Sequence, residues 1–461
     1  MAPAWRNRAR AHRLLPMCAH SAVARFLDVV IVGGGIAGLW LLRRLTERGY
    51  AAVLLSSTPL GQGQTLASQG IIHGGLKYAL SGQLTRASEA IADMPARWSE
   101  CLEGRGDIDL NALRPLRQTC HLFAAAGTLG RLASFFASRS LRGRVTALTR
   151  DQFPPGLDDL AFKGSVHSLA DFVLPVPELL SALVTPVAHL AYTADALPAL
   201  DAASLTDQGV RLELSGLTLD AGHLILAAGS GNAALLARLG LGYPRMQRRP
   251  LAQVIVRAPD LPPLFAHCLT GIRRPEPRLT ITSHSDGGSR LWYLGGQIAT
   301  DGVNMSAQAL AAHARAELRA CLPWRDWSNA EIETLTIDRA EPLSLRGQRP
   351  DEAFAVGTGP EGRCIVTWPT KLSLVPDLGD RVLSLLPPPI AEQRRPGSPI
   401  APDEIPRDQY PPNPVEAVVA ELRLRFAAAK VGNTPWSVEE RVAAGAAPQA
   451  GVPAGPPGTG L

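Results

Sequence analysis

An apolar strand, a glycine-rich turn and a helix form the clearest pattern along the chain. Asp28–Val32 is predicted to be a buried strand, Ile36–Arg48 a helix and Ala51–Leu55 a second strand. A helix that joins two strands in this way forms a β-α-β unit, in which the strands lie parallel. The pattern therefore predicts an α/β fold that begins with a parallel sheet.

Further elements are predicted downstream of this unit. Helices are predicted over Gln83–Leu102, Gly127–Ser140 and Val176–Val184. A hairpin is predicted from Val210–Leu214 and Leu217–Leu219, followed by an apolar strand over His223–Ala227. Alternation from Pro250 to Ile298 is typical of an antiparallel sheet. Prolines become frequent after Leu386, one amphipathic helix is predicted over Val415–Lys430, and the Gly/Pro/Ala-rich end after Ala444 is expected to be disordered.

Gly33, Gly35 and Gly38 lie between the first strand and its helix in G-x-G-x-x-G register. In dinucleotide-binding folds the first glycine allows the tight turn, the second lets a pyrophosphate approach the backbone, and the third lets helix and strand pack closely. The phosphates then lie at the positive end of the helix. We therefore favour a dinucleotide site over a purely structural glycine turn.

The second strand departs from this motif at its end. An Asp or Glu usually binds the ribose hydroxyls there, whereas this chain has Ser56 followed by Ser57. Ribose binding would have to use these hydroxyls or the backbone. An ordinary turn at the end of the strand explains the two serines equally well.

The excess positive charge of the chain is concentrated near its start. Lys and Arg number 46 against 41 Asp and Glu, which gives a formal net charge of +5. The arginines that precede the first acidic residue are Arg6, Arg8, Arg10, Arg13 and Arg25. The remainder is balanced, so it lacks the positive excess that electrostatic nucleic-acid binding requires, and we expect no nucleic acid as a partner. Residues 1–27 are interpreted as a flexible basic arm or, alternatively, as a targeting segment.

The six cysteines are scattered, with no C-x-x-C pair and no cluster at metal-ligand spacing. This distribution predicts a reducing compartment, the cytoplasm, and no structural zinc. It also argues against disulfide reductase chemistry, which needs a close cysteine pair. The longest apolar run, Val29–Leu42, contains glycines and is shorter than the about 20 apolar residues of a transmembrane helix, so no transmembrane segment is expected.

Four segments together resemble one known family. They are the first β-α-β unit, GQGQTLASQGIIHGGLKYAL (Gly61–Leu80), LILAAGSG (Leu224–Gly231) and a late GQRP…TWPTKLS stretch. In their order along the chain they resemble FAD-dependent oxidoreductases of the glycerol-3-phosphate dehydrogenase and D-amino-acid oxidase type. IHGGLKY and TKLS are closer to the glycerol-3-phosphate dehydrogenases.

The resemblance implies a discontinuous, Rossmann-like α/β FAD-binding domain with an inserted antiparallel β-rich substrate domain. Residues 28–95, 166–245 and 337–388 would form the three parts of the FAD-binding domain. A helical or cap insertion over 96–165 and the β-rich substrate domain over 246–336 would separate them. A Pro-rich extension with helices would follow over 389–445, before a disordered tail over 446–461.

The resemblance also assigns cofactor-binding roles residue by residue. Gly33, Gly35 and Gly38 would hold the FAD pyrophosphate, and Ser56 and Ser57 would serve the ribose. Further residues are implied to lie along the flavin or at the second strand end that contacts FAD. They are Thr65, Ser68, His73, Gly74, Gly75, Ala228, Gly229, Lys371 and Leu372. A lysine and free helix N–H groups beside the flavin would stabilise negative charge on it.

Three residues are candidates for catalysis or substrate binding. Arg349 in GQRP resembles the family arginine on the substrate side of the flavin, where its planar fork would clamp a carboxylate or phosphate. Arg339 is a second candidate, with a salt bridge to Asp338 or Glu341 as the alternative. His73 would contact the flavin or act as a base, with a structural histidine as an equally good alternative.

The family pattern predicts an enzyme that transfers hydride from a small anionic CH–OH substrate, such as a 2-hydroxy acid or a glycerol-3-phosphate-like molecule, to flavin N5. The electron acceptor would be a quinone or oxygen, a dehydrogenase is favoured over an oxidase, and peripheral contact with the inner face of a membrane is compatible with this. The alternatives are an amine or amino-acid oxidase, a non-catalytic FAD-binding protein and a NAD-only dehydrogenase. A flavoprotein hydroxylase is less favoured, because the Gly-Asp pair that such enzymes use, here Gly379-Asp380, follows the TKLS segment instead of a strand end.

The substrate domain also contains polar or aromatic candidates for substrate binding, which no spacing rule ranks. They are Gln247, Arg249, His267, His284, Trp292 and Gln297.

Overall fold

The computed structural model describes residues 26–75, 91–124, 145–269, 276–344, 350–393 and 414–437. Its strands are β1 (Phe26–Val32), β2 (Ala52–Ser56), β3 (Ile71–Ile72), β4 (Cys120–Ala124), β5 (Val145–Ala147), β6 (Ser165–Leu169), β7 (Phe172–Val173), β8 (Ala191–Thr193), β9 (Val210–Leu214), β10 (Leu217–Leu226), β11 (Met246–Arg257), β12 (Ala266–Leu269), β13 (Leu279–Asp286), β14 (Ser289–Gly295), β15 (Glu331–Pro342), β16 (Phe354–Thr358) and β17 (Cys364–Trp368). Its α-helices are α1 (Ile36–Glu47), α2 (Met94–Leu102), α3 (Val176–Val184), α4 (Asn232–Arg238), α5 (Gln297–Asp301), α6 (Ala307–Cys321), α7 (Val375–Leu383), α8 (Ile390–Gln393) and α9 (Pro414–Arg425).

The first sheet is built from three separated parts of the chain. Its strand order is β16-β17-β10-β1-β2-β8, with β9 paired to β10. The pairings of β17 with β10, β10 with β1, β1 with β2 and β2 with β8 are parallel, whereas the edge strand β16 pairs with β17 antiparallel. This arrangement confirms the predicted α/β class with a discontinuous Rossmann-like domain.

The second sheet has the order β15-β11-β14-β13-β12-β4-β6-β5. Its pairings are antiparallel except that β12 runs parallel to β4, so the sheet is mixed where a purely antiparallel one was expected. The reason is that β4 and β5, from the segment expected to be a helical or cap insertion, and β6, from the start of the segment expected to continue the FAD-binding domain, extend this sheet. The predicted division at 336/337 also falls inside β15, which pairs with β11 along its whole length.

Apolar side chains cover both faces of the first sheet. Trp40 of α1, Leu183 of α3 and Leu378 of α7 are fully buried in one cluster on one face. Leu212 of β9 and Leu422 of α9 are buried in the cluster on the other face. Burial on both faces explains why β1 and β2 are continuous apolar runs in the sequence.

The second sheet is buried differently on its two faces. One face of β11 carries Ala252 and Val254, which pack with Leu318 of α6. Side chains alternate along a strand, so Gln253 lies on the opposite face, toward the first sheet. That opposite face forms one wall of the site described below.

Several predicted elements differ from those observed. The predicted strand over His223–Ala227 is the end of the longer β10, because one strand pairs with β9 over Leu217–Ala221 and with β1 and β17 farther along. The predicted Val415–Lys430 helix ends at Arg425, since the next residues pair with the sheet edge, where Ala428 bridges Tyr192. The predicted Gly127–Ser140 helix and the predicted tail lie outside the described residues, as do residues 83–90 of the predicted Gln83–Leu102 helix, whose described part contains α2. The predicted basic arm lies outside them up to Arg25, whereas Phe26 and Leu27 belong to β1. None of the helices in the described ranges is long and apolar enough to cross a membrane.

An ion-pair network connects α1, α2 and α7. The side chains of Arg44 and Arg97 each contact both Asp107 and Asp380, with Arg44 only 4% exposed. Buried charges need such partners to offset their lost hydration. Asp380 of the Gly379-Asp380 pair is therefore engaged in joining helices.

Gly38→Ala is expected to destabilise the protein, although alanine is the better helix former. A Cβ on Gly38 would lie 1.9 Å from the carbonyl oxygen of Gly33, so α1 would have to move away from the glycine turn. The expected loss in free energy of unfolding is about 2 kcal/mol or more, from overpacking. Denaturant unfolding measures it, and Gly242→Ala is the control because nothing lies within 4 Å of its Cβ position. Equal stability of the two variants would contradict the close contact.

His284 is expected to make stability fall below pH 6.5. Burial lowers the pKa of His284 to about 4, and its ring stacks on Trp436 at 4.5 Å. Between these pH values the unfolded chain binds a proton that the folded one does not, so stability present above pH 6.5 is lost toward pH 4, by up to about 1.4 kcal/mol per pH unit. Unfolding of the His284→Gln variant at pH 7, 6 and 5 should show a shallower slope. The same change in slope for His189→Gln, at an exposed position, would argue against this assignment.

Candidate active site

A cavity of about 990 Å³ lies between the first sheet and the inner face of the second. Its walls come from the glycine turn before α1, the loops after β2 and β10, the segment after β17, and residues of β11, β13 and β15. The carboxyl ends of parallel strands meet on this side of the first sheet, which is where α/β folds bind ligands. We therefore treat this cavity as the candidate active site.

The glycine turn presents bare backbone to the cavity. Gly33 has φ +121°, and a Cβ there would lie 2.5 Å from backbone atoms of Ala227 and Ala228. Gly35 caps α1, whose first turn carries no acidic residue. The positive end of the helix thus faces the cavity, where it favours an anion. Gly33 and Gly35 line the cavity, whereas Gly38 lies behind them at the contact between helix and strand.

Ser56 and Ser57 both line the cavity at the end of β2. The Ser56 hydroxyl donates a 2.7 Å hydrogen bond to the carbonyl of Thr58. This bond closes the turn that follows β2, as the structural alternative predicts. The oxygen of that hydroxyl can still accept a bond from a ligand. The turn and the ribose role are therefore compatible, and the ribose role stays a prediction.

The loop from Thr65 to Gly70 crosses the cavity between the two sheets. The Thr65 hydroxyl accepts a 3.2 Å bond from the N–H of Ile36, which ties the loop to the start of α1. The Ser68 hydroxyl is buried and has no hydrogen-bond partner within the described residues, although it lines the cavity. Buried polar groups are normally satisfied, so an orphaned hydroxyl at this wall fits a bound polar ligand.

Gln69, which sequence reasoning missed, fastens this loop to the second sheet. Its Nε2 donates to the carbonyl oxygens of Tyr293 at 2.9 Å and Thr280 at 3.2 Å. A Cβ on Gly295 would lie 2.4 Å from the Gln69 Oε1, so a side chain there would displace the Gln69 amide. The Tyr293 hydroxyl donates to the carbonyl of Ala67 at 2.9 Å. No sequence motif marks Gln69, because its partners, two backbone carbonyls and the Thr282 hydroxyl, lie more than 200 residues away.

The IHGG and TKLS segments contact each other. The backbone N–H of His73 donates to the Ser373 hydroxyl at 2.9 Å, and that of Gly74 to the Asp171 carboxylate at 3.0 Å. His73 and Gly75 line the cavity, whereas Gly74 does not. The two motif segments are thus parts of one wall.

The end of β10 reaches the cavity at Ala228 and Gly229. The Ala228 N–H donates to the Asn232 side chain at 2.8 Å, which fixes the turn. Gly229 adopts φ +56°, and nothing lies within 4 Å of the point that a Cβ on this residue would occupy. Small residues therefore leave the backbone open to a ligand, as expected.

Lys371 is 4% exposed and lies in the cavity wall with Leu372. Its ammonium group pairs with the Asp351 carboxylate at 3.1 Å, so its charge is partly neutralised by a neighbour. Lys371 therefore does not lie at a solvated helix start, and its charge is not that of an isolated cation beside the cofactor. The helix that follows begins with a 3-10 turn at Leu372 and becomes α7 at Val375.

Arg339 lines the cavity from β15. The two carboxylates expected as its partners pair with other arginines: Glu341 with Arg249 at 2.8 Å and Asp338 with Arg248 at 3.7 Å. The Nε of Arg339 donates to the carbonyl of Arg249 at 3.4 Å. Arg349 lies outside the described residues.

The inner face of the second sheet contributes Gln253, Thr280 and His267 to the cavity. His267 Nδ1 lies 3.0 Å from the Thr280 hydroxyl, and burial lowers the pKa of His267 to about 4, so its ring is uncharged near neutral pH. His267 is the member of the six substrate-domain candidates that lines the cavity; Trp292, for example, packs on the opposite face. Alternation in the sequence predicts that Gln253 and its neighbours Ala252 and Val254 lie on opposite faces of the sheet. It does not tell which of the two faces lines the cavity.

The residues around the cavity fit FAD. A turn without side chains stands at a helix N-terminus, where a pyrophosphate is favoured. An unsatisfied hydroxyl, Ser68, and small residues at Ala228 and Gly229 lie along the same wall. The individual contacts with FAD stay predictions.

Gln69→Ala is expected to weaken FAD binding about tenfold, since it removes hydrogen bonds that hold the Thr65–Gly70 loop against the second sheet. Titration of the apoprotein with FAD measures the change. Gln208→Ala, at an exposed loop position, is the matched control and should bind FAD as the unsubstituted protein does. Unchanged affinity in Gln69→Ala would show that the loop keeps its position without this tie.

Comparison with known proteins identifies the family. The sequence model described as FAD dependent oxidoreductase matches residues 28–369. The chain is 49% identical over 366 residues, 78% of this chain and 90% of the relative, to Probable FAD-dependent oxidoreductase PA4991 of Pseudomonas aeruginosa. The crystal structure of that protein matches with TM-score 0.69 at 38% identity, covering 89% of this chain and 97% of the other. Glycine oxidase of Geobacillus kaustophilus is 28% identical over 226 residues, 47% of this chain and 59% of the relative. This protein therefore belongs to the FAD-dependent oxidoreductase family, and its cofactor is FAD.

Proposed function

We propose that this protein oxidises a small anionic substrate at a carbon that carries a hydroxyl group. The observation that carries the proposal is the composition of one cavity, in which the glycine turn for the cofactor, a cationic side chain (Arg339) and uncharged polar groups share the same walls. An arginine suits a carboxylate or phosphate because its planar fork can donate two parallel hydrogen bonds. Bound FAD supplies the hydride acceptor.

The roles of the protein groups follow from the chemistry. The substrate loses a hydride from its C–H bond and a proton from its O–H bond, and a carbonyl group forms. Arg339 holds the anionic end of the substrate, and His73 takes the hydroxyl proton as a general base. Arg349, from the GQRP segment, would be a second anion-binding group.

An amine or amino-acid substrate is the second candidate. Four carboxylate residues, Asp171, Asp195, Glu276 and Asp338, also line the cavity, and carboxylates suit a cationic amine. The similarity to glycine oxidase of Geobacillus kaustophilus favours the same alternative. The resemblance of IHGGLKY and TKLS to glycerol-3-phosphate dehydrogenases supports the hydroxyl substrate and an acceptor other than oxygen, such as a quinone, with the enzyme in the cytoplasm or on the inner face of a membrane.

The first test is an absorbance spectrum of the purified protein, followed by anaerobic addition of glycerol 3-phosphate, glycolate, lactate and glycine in turn. A flavin spectrum that bleaches with a hydroxy compound is the expected result. Bleaching by glycine alone would instead establish the amine alternative. A flavin that no compound bleaches would leave a non-catalytic FAD-binding protein.

Substitutions then test the two roles with the compound that bleaches the flavin. Arg339→Ala is expected to raise KM about 10- to 100-fold through the lost charged hydrogen bonds. His73→Ala is expected to lower kcat about 100-fold or more. Arg105→Ala removes an exposed arginine that pairs with Glu103 and should change neither constant. Unchanged constants in Arg339→Ala and His73→Ala would contradict the assigned roles.

A further inference from the structure

Gln253 is buried in the cavity wall with its amide oxygen unsatisfied. Its side chain is 6% exposed, and within the described residues its Oε1 has no hydrogen-bond partner. Buried side-chain oxygens are nearly always hydrogen-bonded, because a lone acceptor loses its hydration without compensation. A missing partner at the wall of a ligand cavity indicates that the ligand supplies it.

The position of Gln253 on β11 directs its side chain into the cavity. Its neighbours Ala252 and Val254 belong to the apolar cluster under α6, on the other side of the sheet. Val254 pairs with Leu294 of β14, so Gln253 lies beside Gly295, over which the Gln69 amide lies. Thr280 pairs with Gly295 and with His267 in turn. Gln253, Thr280 and His267 thus form a polar row across one face, and all three line the cavity.

The residues on either side of this row are apolar. Leu251 of β11, Ile337 of β15, and Leu122 and Leu269 on the far side line the same wall. The row itself is uncharged near neutral pH, since burial lowers the pKa of His267 to about 4. The polar row therefore suits an uncharged hydrogen-bonding group of the substrate. Arg339 suits its anionic end.

Two other glutamines of the same region show what a structural amide does here. Gln69 donates to backbone carbonyls of the second sheet. Gln247, on the same face of β11 as Gln253, lies 3.4 Å from the Glu341 carboxylate and accepts a bond from the N–H of Ser344. Gln253 has no such engagement of its Oε1 among the described residues, so its polar group is not explained by the fold.

We propose that Gln253 determines substrate specificity by accepting a hydrogen bond from a hydroxyl or amino group of the substrate. The inference rests on the proposed function, because it assigns a recognition role within the same site. A substrate must then carry two groups: an anionic group that Arg339 binds, and a hydrogen-bond donor that Gln253 binds. Replacing the amide with an apolar side chain removes the recognition but also removes an unsatisfied buried atom.

The test compares the holoproteins of Gln253→Leu, Gln247→Leu and the unsubstituted chain. Dissociation constants are measured from the perturbation of flavin absorbance by glycolate and glycine, which carry a donor, and by acetate, which lacks one. The unsubstituted protein should prefer one of the donor compounds to acetate by about tenfold. Gln253→Leu should lose that preference with acetate binding unchanged, and Gln247→Leu should keep it. The compound preferred distinguishes a hydroxyl donor from an amino donor.

Thermal unfolding of the same proteins supplies a measurement that needs no substrate. Gln253→Leu should leave Tm unchanged or raise it, whereas Gln247→Leu should lower it because it removes hydrogen bonds of the fold. A preference retained in Gln253→Leu, or a fall in its Tm as large as that of Gln247→Leu, overturns the inference. Failure of the proposed function is a separate result, the absence of flavin bleaching in the unsubstituted protein, and the Tm comparison still decides whether the Gln253 amide serves the fold.

Discussion

The close contact of three backbone segments at the glycine turn is the constraint on which the rest of the site depends. Gly33 lies against the backbone of Ala227 and Ala228, and α1 approaches so closely at Gly38 that a methyl group would meet the Gly33 carbonyl. This contact aligns the N-terminus of α1 with the ends of β1 and β10, which pair in parallel. The positive end of one helix and two strand ends therefore open at one place, where a pyrophosphate is favoured.

The second sheet completes the site only because it is fastened to the first domain. Gln69 and the Tyr293 hydroxyl connect the Thr65–Gly70 loop to β13 and β14 through backbone carbonyls. The C-terminal segment adds a further connection: Leu60 exchanges backbone hydrogen bonds with Lys430 and Gly432, and Trp436 stacks on His284 of the second sheet. Displacement of either connection would change the distance between the cofactor wall and the polar row of the second sheet.

Buried charged groups near the site are paired with groups of opposite charge, whereas two uncharged side chains at the cavity wall keep a buried oxygen that the described residues leave unsatisfied. Glu341 is fully buried and is satisfied by Arg249, while Lys371 pairs with Asp351. Such pairs offset the loss of hydration of each charge and hold β11, β15 and the segment after β17 in position. Gln253 and Ser68 contrast with them, because each has a buried oxygen left unsatisfied by the described residues at the wall of the cavity. That contrast is the physical basis for treating these two side chains as ligand-facing.

Local pattern was enough to predict the β-α-β unit, the helix over Val176–Val184, the α/β class and the position of the glycine turn, because each depends on neighbours in sequence. The local pattern could not predict contacts between segments that are distant in the sequence. The continuation of β10, the end of α9 at Arg425 and the parallel pairing of β12 with β4 are all set by strands far away along the chain. The roles of Gln69 and Gln253 belong to the same class, since a glutamine carries no sequence signal of its own. The sequence by itself determined the β-α-β unit and the cofactor turn. Tertiary structure decided which polar side chains reach the cavity, because only the paired sheets bring residues more than 200 positions apart within hydrogen-bond distance.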